Sequence, residues 1–306
     1  MDLELRDLRY FSAIAQLGHV RRAAERVHRS QPALTKSIRR LEMAFGTPLF
    51  HRVGRGIRLT PAGELLLARG ARLQTVSEDL VREIRDFAQG VGGHVRIGTT
   101  PLGADYLLPD ACSLLLERAP DVTLEIVIEA QAALRDLLEA GALDLVVGQV
   151  SEGERGLFSD MAFEDVVVVV ARRSHAIFRK RVRRLADLLE FRWILPSPTL
   201  GSRQWIDNAF ESRGLRKPMV QIESTSVQLL PQLIARTDLL SFVSRRAIGR
   251  GRDSVLREVV VAEATMRRHY GIAYRADGYL SPAAQRLVTL LKAEGRRMRS
   301  SAPSLV

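Results

Sequence analysis

The spacing of apolar residues over the first thirty positions predicts two short helices. Leu8, Phe11 and Ile14 recur at helical intervals, and a glycine then provides a stop. A second helical stretch carries the small residues Ala23 and Ala24 on one face. Small side chains allow a neighbouring helix to approach closely, so the two helices are expected to pack together.

A third helix is predicted from a clear start signal and a polar outer face. Ser30 is placed as its N-cap, and Pro32 lies in the first turn, where a missing N–H costs little. Its apolar stripe consists of Leu34, Ile38, Leu41 and Phe45. At about 100° per residue, the opposite face carries Pro32, Lys36, Arg39, Arg40 and Met43. A short helix, a tight turn over 27–30 and this third helix fit a helix-turn-helix, although a three-helix bundle with a basic surface has the same pattern.

Two further patterns follow. Segment 49–60 predicts two short strands around a glycine-containing turn with Arg52, Arg55 and Arg58, a basic hairpin suited to phosphates or the minor groove. From Pro61 to about Gln89 one helical pattern is uninterrupted. Its apolar seam, which predicts a dimer interface, comprises Leu66, Leu73, Val76, Leu80, Ile84 and Phe87. The alternative is that this seam packs on the chain's own C-terminal region. Glycines at 90, 92 and 93 predict a flexible hinge after the helix.

After this hinge, β-rich runs alternate with amphipathic helical stretches. The predicted strands are 94–100, 122–130, 143–150, 166–171, 192–196, 219–224, 239–244, 255–262 and 269–276, with a last helix at 282–298. Strands separated by helices favour βαβ units and a parallel sheet. The length of this array fits two lobes, with the chain crossing between them near 163–165 and 266–269.

In open α/β sheets, ligands bind beyond the carboxyl ends of the strands. Most of the residues at those ends carry hydroxyl groups or open helices: Thr99, Thr100, Pro101, Gln149, Pro198, Thr199, Gly201, Ser202, Ser224, Thr225 and Ser226. Hydroxyl groups and helix N-termini suit a small anion, typically a carboxylate. These positions therefore predict a ligand-binding cleft, with ordinary turn and N-cap roles as the alternative.

Charge and cysteine content narrow the function classes. The net charge is +11, and residues 1–63 hold twelve Lys/Arg against five Asp/Glu, which is the footprint of nucleic-acid binding at that end. A single cysteine, Cys112, excludes an internal disulfide framework and a cysteine-rich zinc site. No apolar run approaches the ~20 residues of a membrane span, and the N-terminus lacks a signal-like segment, so a cytoplasmic location is predicted. We find no catalytic constellation and expect neither enzyme activity, metal nor cofactor.

The stretch 8–63 closely resembles the winged helix-turn-helix of LysR-type transcriptional regulators. The matching positions are Phe11, Ala15, Gly18, Ala23, Ala24, the turn 30–33, Ile38, Leu41, Glu42, Gly46, Leu49, Phe50, Arg52, Leu59, Thr60, Ala62 and Gly63. One departure follows Gly18, where His19 and Val20 replace the serine and aromatic residue usual in the family. This change weakens the expected cap of the second helix and removes one backbone–phosphate contact.

The resemblance implies an α/β protein in three parts. These are a mostly α winged helix-turn-helix at 1–60, a linker and dimerisation helix at 61–91, and an effector-binding region at 92–306 that resembles periplasmic binding proteins. Lobe I would comprise 92–164 and 268–306, and lobe II 165–267. The resemblance also implies antiparallel linker helices in a dimer or tetramer, bound to an interrupted inverted repeat in double-stranded DNA, with RNA polymerase a candidate partner.

The resemblance also assigns roles at the DNA. Gln31, Pro32, Ala33, Thr35 and Lys36 lie where family members contact bases and phosphates, and Gln and Lys suit adenine and guanine. Phosphate contacts are expected from the arginines Arg39, Arg40, Arg52 and Arg55. For the basic run 172–184 a solvated face is favoured over contact with flanking DNA. A solute-binding protein and a non-specific DNA binder are the competing functions, and the basic N-terminal region opposes the first.

Overall fold

A computed structural model of the chain describes residues 3–54, 56–89, 93–150, 156–180, 184–248 and 254–300, with the backbone alone at 86–89 and 300. Within these ranges, no helix combines the length and apolar character that a membrane crossing requires.

The N-terminal unit is a three-helix bundle followed by a two-stranded wing. Its elements are α1 (Leu5–Leu17), α2 (Val20–Arg26), α3 (Gln31–Phe45), β1 (Phe50–Val53) and β2 (Gly56–Leu59), with the two strands antiparallel. Gly18 and Gly46 end α1 and α3 with φ of 63° and 65°, a left-handed conformation that favours glycine. Leu8, Ile14 and Leu34 are fully buried between the helices. The predicted helices and hairpin are confirmed.

A single long helix, α4 (Pro61–Gln89), follows the wing over the predicted range. Two glycines let it approach the N-terminal unit. A Cβ at Gly63 would lie 2.2 Å from the carbonyl oxygen of Leu49, and one at Gly70 would lie 3.3 Å from the Leu8 side chain. Since no Cβ occurs at the first distance, only glycine allows this packing of α4 against the start of the wing.

The C-terminal region is built on one mixed sheet of seven strands. In chain order they are β3 (His94–Thr99), β4 (Thr123–Ile128), β5 (Leu145–Gln149), β6 (Leu157–Arg172), β9 (Ser241–Ser244), β10 (Leu256–Val259) and β11 (Met266–Arg275). The sheet order is β10-β6-β11-β5-β3-β4, with β9 also paired to β6. Strands β3, β4 and β5 are parallel as predicted, but β6 and β11 are antiparallel over ten residue pairs. The prediction of βαβ units with a parallel sheet is therefore confirmed for β3, β4 and β5, and the antiparallel pairing of β6 with β11 is an addition that the strand and helix pattern does not reveal.

A second, parallel pair of strands and six α-helices complete the part of this region that the structure describes. The pair is β7 (Arg192–Pro196) and β8 (Met219–Ser224), and the helices are α5 (Pro101–Tyr106), α6 (Leu108–Arg118), α7 (Gln131–Glu139), α8 (Gly201–Glu211), α9 (Leu229–Ile234) and α10 (Pro282–Ser300). Short 3₁₀ helices cover 176–179, 185–190, 245–248 and 262–264.

Separate groups of buried apolar residues define two lobes in the C-terminal region. Phe163, Ile272 and Leu287 belong to the core that we call lobe I. In lobe II the run 166–171 is covered on both faces, since Val167 and Val169 pack on one side of β6 and Val168 and Val170 on the other. Strands β6 and β11 pass from one core to the other at the predicted crossings, so they form the hinge between the lobes.

Candidate DNA-binding face and interlobe cleft

The outer face of α3 presents a compact group of exposed polar side chains. Gln31, Pro32, Thr35, Lys36 and Arg39 line one open depression on this helix, and Ala33 is exposed beside them. The Thr35 hydroxyl donates to the carbonyl oxygen of Gln31 at 3.1 Å. The fold therefore brings six of the predicted residues together on the outer face of α3, which nothing in the described chain covers.

Arg40 has a different partner from the one predicted for it. Its Nη2 and Nε donate to the two carboxylate oxygens of Asp7 at 2.5 and 3.1 Å, and Ser37 donates to the same group at 2.7 Å. Asp7 is only 2% exposed, so this carboxylate depends on both donors. The hydrogen bond raises the pKa of the Arg40 guanidinium further. Arg40 thus joins α3 to α1, a role that the position on the outer face does not reveal.

The wing is attached to the end of α1 and carries exposed arginines. The N–H of Ile57 donates to the carbonyl oxygen of Gly18 at 3.0 Å. Arg52 and Arg58 are exposed on β1 and β2. Arg55, the third predicted basic residue of the hairpin, lies outside the described residues. The wing therefore adds two exposed cations, Arg52 and Arg58, to the N-terminal unit.

One face of α4 is apolar and uncovered. Leu73, Val76, Leu80 and Ile84 are between 48% and 60% exposed, and Leu65 is 62% exposed in line with them. Leu66 differs from the prediction, since it packs against the core of its own N-terminal unit. The side chain of Phe87 is outside the described residues. Sequence reasoning missed Leu65 because the seven-residue repeat placed Leu66 in the seam, and only the folded N-terminal unit shows that Leu66 is covered. Helix α4 also packs on the chain's own C-terminal region, which was the alternative for the apolar seam, but it does so through a different, polar face.

On the lobe I side of the predicted cleft, the two threonines have different environments. Thr99 is fully buried, and its hydroxyl donates to the carbonyl oxygen of Val147 at 2.9 Å. This bond ties β3 to β5, so Thr99 is structural rather than directed at a ligand. The Thr100 hydroxyl lies 3.2 Å from the Tyr270 hydroxyl on the hinge strand β11. Pro101 opens α5, and Gln149 is half-buried at the end of β5.

On the lobe II side, two loops begin side by side because β7 and β8 are parallel and end at the same edge. The N–H of Ser197 donates to the carbonyl oxygen of Ser224 at 3.0 Å, and that of Ser226 to the Ser224 hydroxyl at 3.0 Å. The remaining predicted residues of these loops are exposed or half-buried: Pro198, Thr199, Gly201, Ser202 and Thr225. Ser224 therefore serves partly as a turn residue, as the alternative expected.

A direct contact joins the lobes beside these segments. The Gln228 side chain, two residues after Ser226, donates to Asp105 on α5 at 3.1 Å. Since Asp105 follows Pro101 by one helical turn, the two predicted sets of hydroxyl groups lie on segments that meet across the lobes. The structure thus brings most of the candidate effector residues to one interlobe region.

Charged residues at the hinge were not found by sequence reasoning. Asp165 is fully buried on β6 and accepts from the Ser244 hydroxyl at 2.5 Å and from Arg268 at 2.8 Å. Arg246 lies 4.6 Å above the ring centroid of Phe163. Burial raises the pKa of Tyr270 and, with the nearby Asp105, that of Tyr106. The one available signal was the position of Arg268 inside a predicted lobe crossing.

Other sequence candidates have structural contacts. In the basic run, Arg172 pairs with Asp238 at 2.7 Å, and Arg173 donates to the carbonyl oxygen of Ser254 at 2.9 Å. Buried His175 accepts from the N–H of Ile177. Residues 181–183 of this run lie outside the described ranges. Cys112 packs at the edge of the lobe I core, where burial raises the pKa of its thiol. The described residues contain no group of three or more His, Cys, Asp or Glu placed to hold a metal ion.

Comparison with protein families assigns both the N-terminal unit and the C-terminal region to one family. Residues 5–64 match the bacterial regulatory helix-turn-helix protein, lysR family, and residues 88–296 match the LysR substrate binding domain. The chain belongs to the LysR family. It is therefore a DNA-binding transcriptional regulator with a substrate-binding domain, and family members are regulators rather than enzymes.

Individual relatives cover nearly the whole chain of this LysR-family protein. The SDS degradation transcriptional activation protein of Pseudomonas is 31% identical over 308 residues, covering 96% of this chain and 97% of that protein. The uncharacterised HTH-type regulator YdcI of Escherichia coli is 28% identical over 297 residues, covering 95% of each.

Solved structures share the fold. A full-length OxyR variant of Pseudomonas aeruginosa gives a TM-score of 0.63 at 24% identity, covering 97% of this chain and 95% of that one. Full-length CbnR complexed with its target DNA gives 0.61 at 21% identity, covering 95% and 100%. The CcmR regulatory domain of Synechocystis in complex with 2-PG gives 0.60 at 21% identity, covering 68% and 99%. The predicted fold class, a winged helix-turn-helix joined to a two-lobed α/β region, is confirmed.

Proposed function

We propose that this LysR-family regulator binds an interrupted inverted repeat in double-stranded DNA as a homodimer or homotetramer, and that a small anionic effector between its lobes modulates that binding. The observation that carries the proposal is the pairing of an exposed polar α3 face with an uncovered apolar face on α4. The α3 face would contact one half-site, and the α4 face would join two protomers so that their two α3 helices contact two half-sites.

The α3 residues divide into base and phosphate contacts by their chemistry. Gln31 can pair with adenine and Lys36 can donate to guanine, so these two supply sequence choice. Arg39 and the wing residue Arg52 supply phosphate contacts, and a phosphate contact is also predicted for Arg55. The predicted phosphate contact of Arg40 would come from the exposed part of a guanidinium that is also bound to Asp7.

Self-association is proposed through α4. Four exposed apolar side chains of the predicted seam, together with Leu65, would remain in water in a monomer. Burying such a face against a second copy is favourable, and two copies related by a two-fold axis match an inverted repeat. The wild-type protein should therefore place two recognition helices about one helical turn of DNA apart.

The effector is proposed to bind where the loops of 197–202 and 224–226 meet Thr100 and Pro101. Hydroxyl groups, backbone N–H groups and the cation of Arg246 at the hinge suit a carboxylate or a similar anion. The bound CcmR regulatory domain supports an occupied regulatory region in a protein of this fold. A ligand acts by favouring one arrangement of the lobes, which requires unequal affinity for the two arrangements. RNA polymerase is a predicted partner of this regulator, and the cytoplasm is its predicted location.

Selection from a random DNA pool at near-physiological salt tests this function. We expect enrichment of an interrupted inverted repeat with half-sites about one helical turn apart. Retention that is equal for all sequences and disappears as salt rises would instead establish a non-specific binder. A parallel selection with a pool of small carboxylates tests the effector, and an unchanged affinity with every member would contradict an anionic ligand.

A further inference from the structure

Linker helix α4 is joined to lobe I by a polar cluster that is largely removed from solvent. Six residues form this cluster, which we call the linker cluster: Thr75, Asp79 and Arg82 on α4, and Arg96, Asp144 and Arg275 on lobe I. The side chains of Asp79 and Asp144 are 10% and 9% exposed. A carboxylate with so little contact with water is stable only when a charged or hydrogen-bonding partner lies close to it. The two carboxylates therefore hold their arginine partners, and the elements that carry them, in fixed positions.

Asp79 is the central acceptor of the cluster. One of its carboxylate oxygens accepts from Arg82 on the same helix, and the other accepts from Arg275 on hinge strand β11. Arg275 also donates to the carbonyl oxygen of Leu138 at the end of α7, at 3.4 Å. A single carboxylate therefore connects α4 to the strand that passes between the lobes.

Asp144 closes the cluster from the side of lobe I. It accepts from Arg82 at 2.9 Å, from the Arg96 guanidinium at 2.6 Å and from the Arg96 backbone N–H at 2.8 Å. Arg82 thus bridges two carboxylates, one on α4 and one just before β5. Because these bonds have several directions, sliding or rotating α4 would break more than one of them.

A close backbone approach adds to this constraint. The Thr75 hydroxyl donates to the carbonyl oxygen of Ala140 at 3.0 Å. Gly141 follows with φ of +71°, and a Cβ there would lie 2.3 Å from the Thr75 side chain and 2.5 Å from Arg275. A residue other than glycine would therefore push α4 away from lobe I.

The cluster occupies its own face of α4. Gly63 and Gly70 face the N-terminal unit, the apolar face from Leu73 to Ile84 is uncovered, and Asp79 lies on a third face. Through these contacts, a movement of lobe I would shift α4, and with it both the apolar face and the DNA-binding unit.

We propose that Asp79 is a positioning residue that fixes the orientation of α4 on lobe I, and thereby sets the separation of the two recognition helices in the assembled regulator. The second part rests on the proposed function, in which two copies read two half-sites. The first part concerns the single chain alone.

The contact is tested by hydrogen exchange on the full-length protein. In Asp79→Asn, and more weakly in the milder Thr75→Val, peptides over 71–85 and 137–145 should exchange at least fivefold faster than in the wild type. Glu258→Gln is the matched control, since it removes an acceptor of Arg245 at 2.8 Å within lobe II, far from α4 in the fold. Its exchange at 71–85 should be unchanged. Equal exchange in all four proteins would overturn the proposal.

Positioning is tested separately from folding. The same variants are compared by solution X-ray scattering and on selected DNA whose half-site spacing is altered by one to three base pairs. We expect a larger maximum dimension and a loss of spacing preference of about tenfold in Asp79→Asn, with unchanged affinity for a single half-site. Faster exchange with unaltered scattering and spacing preference would mean that Asp79 only stabilises the fold. If selection yields no site, the proposed function fails, while exchange and scattering still decide the role of Asp79.

Discussion

Introducing charge on the uncovered face of α4 should abolish self-association. The double change Leu73→Glu with Leu80→Glu places carboxylates where the wild type has leucines that are 48% and 56% exposed. Because half of each side chain is still accessible, its burial in a dimer contributes roughly 1 kcal/mol, or about 4 kcal/mol for the four leucines of two protomers. Loss of that amount weakens a dimer about a thousandfold, and the desolvation of four carboxylates adds to it.

Sedimentation velocity across several decades of concentration measures this effect. The matched control is Val255→Glu with Val260→Glu, which places two carboxylates on exposed valines of lobe II, 59% and 77% accessible. Both double variants should keep the helix and strand content of the wild type by circular dichroism, since neither pair lies in a core. The α4 variant alone should melt at a lower temperature, because it loses the stabilisation that association gives the folded state. A dimer of the α4 variant with unchanged dissociation constant would show that this face is not the interface, and the apolar residues would then need another cover.

Three further outcomes are expected. Lys36→Ala should weaken binding to the selected site at least tenfold more than to random DNA in a salt titration, and an equal loss on both would reduce Lys36 to a phosphate contact. Asp7→Asn should lower the free energy of unfolding in urea by roughly 2–3 kcal/mol, because it breaks a buried pair whose Arg40 is partly exposed, whereas Glu4→Gln, which alters a pair with the same arginine at 3.9 Å, should have little effect. Burial raises the pKa of Asp144 to about 6, so the folded protein binds a proton on this carboxyl group more tightly than the unfolded chain does. The stability that this difference contributes at low pH should be lost as the pH rises from about 4 to 6. When the free energy of unfolding in urea is measured against pH, Asp144→Asn should lack this part of the decline seen in the wild type.

Local patterns were sufficient for most of the elements. Helix α4 covers the range that its apolar repeat predicted, and the strand at 192–196 has the predicted limits. The first half of β6 was missed, because residues such as Phe158 and Met161 are exposed and give no clean alternation. Its strand character comes from pairing with β11, which is more than a hundred residues away along the chain.

In the candidate site too, some features follow from local sequence patterns and others depend on contacts between distant elements. Exposure of Lys36 on α3 follows from helical periodicity, since the apolar stripe determines which side faces outward. Neither the burial of Thr99 nor the ion pair of Arg40 follows from periodicity, because each depends on a partner from another element.

The sequence alone therefore determined the winged helix-turn-helix, the linker helix, the α/β character of the remainder and the family to which the chain belongs. These features depend on local periodicity, turn residues and the order of short motifs, which are all written along the chain. Only the tertiary structure decided which charges are paired, as in the contact between Asp79 and Arg275, which are separated by 196 positions. The physical reason is that a buried charge is stabilised by whichever group the fold brings within hydrogen-bond distance, and that proximity is a property of the packed molecule.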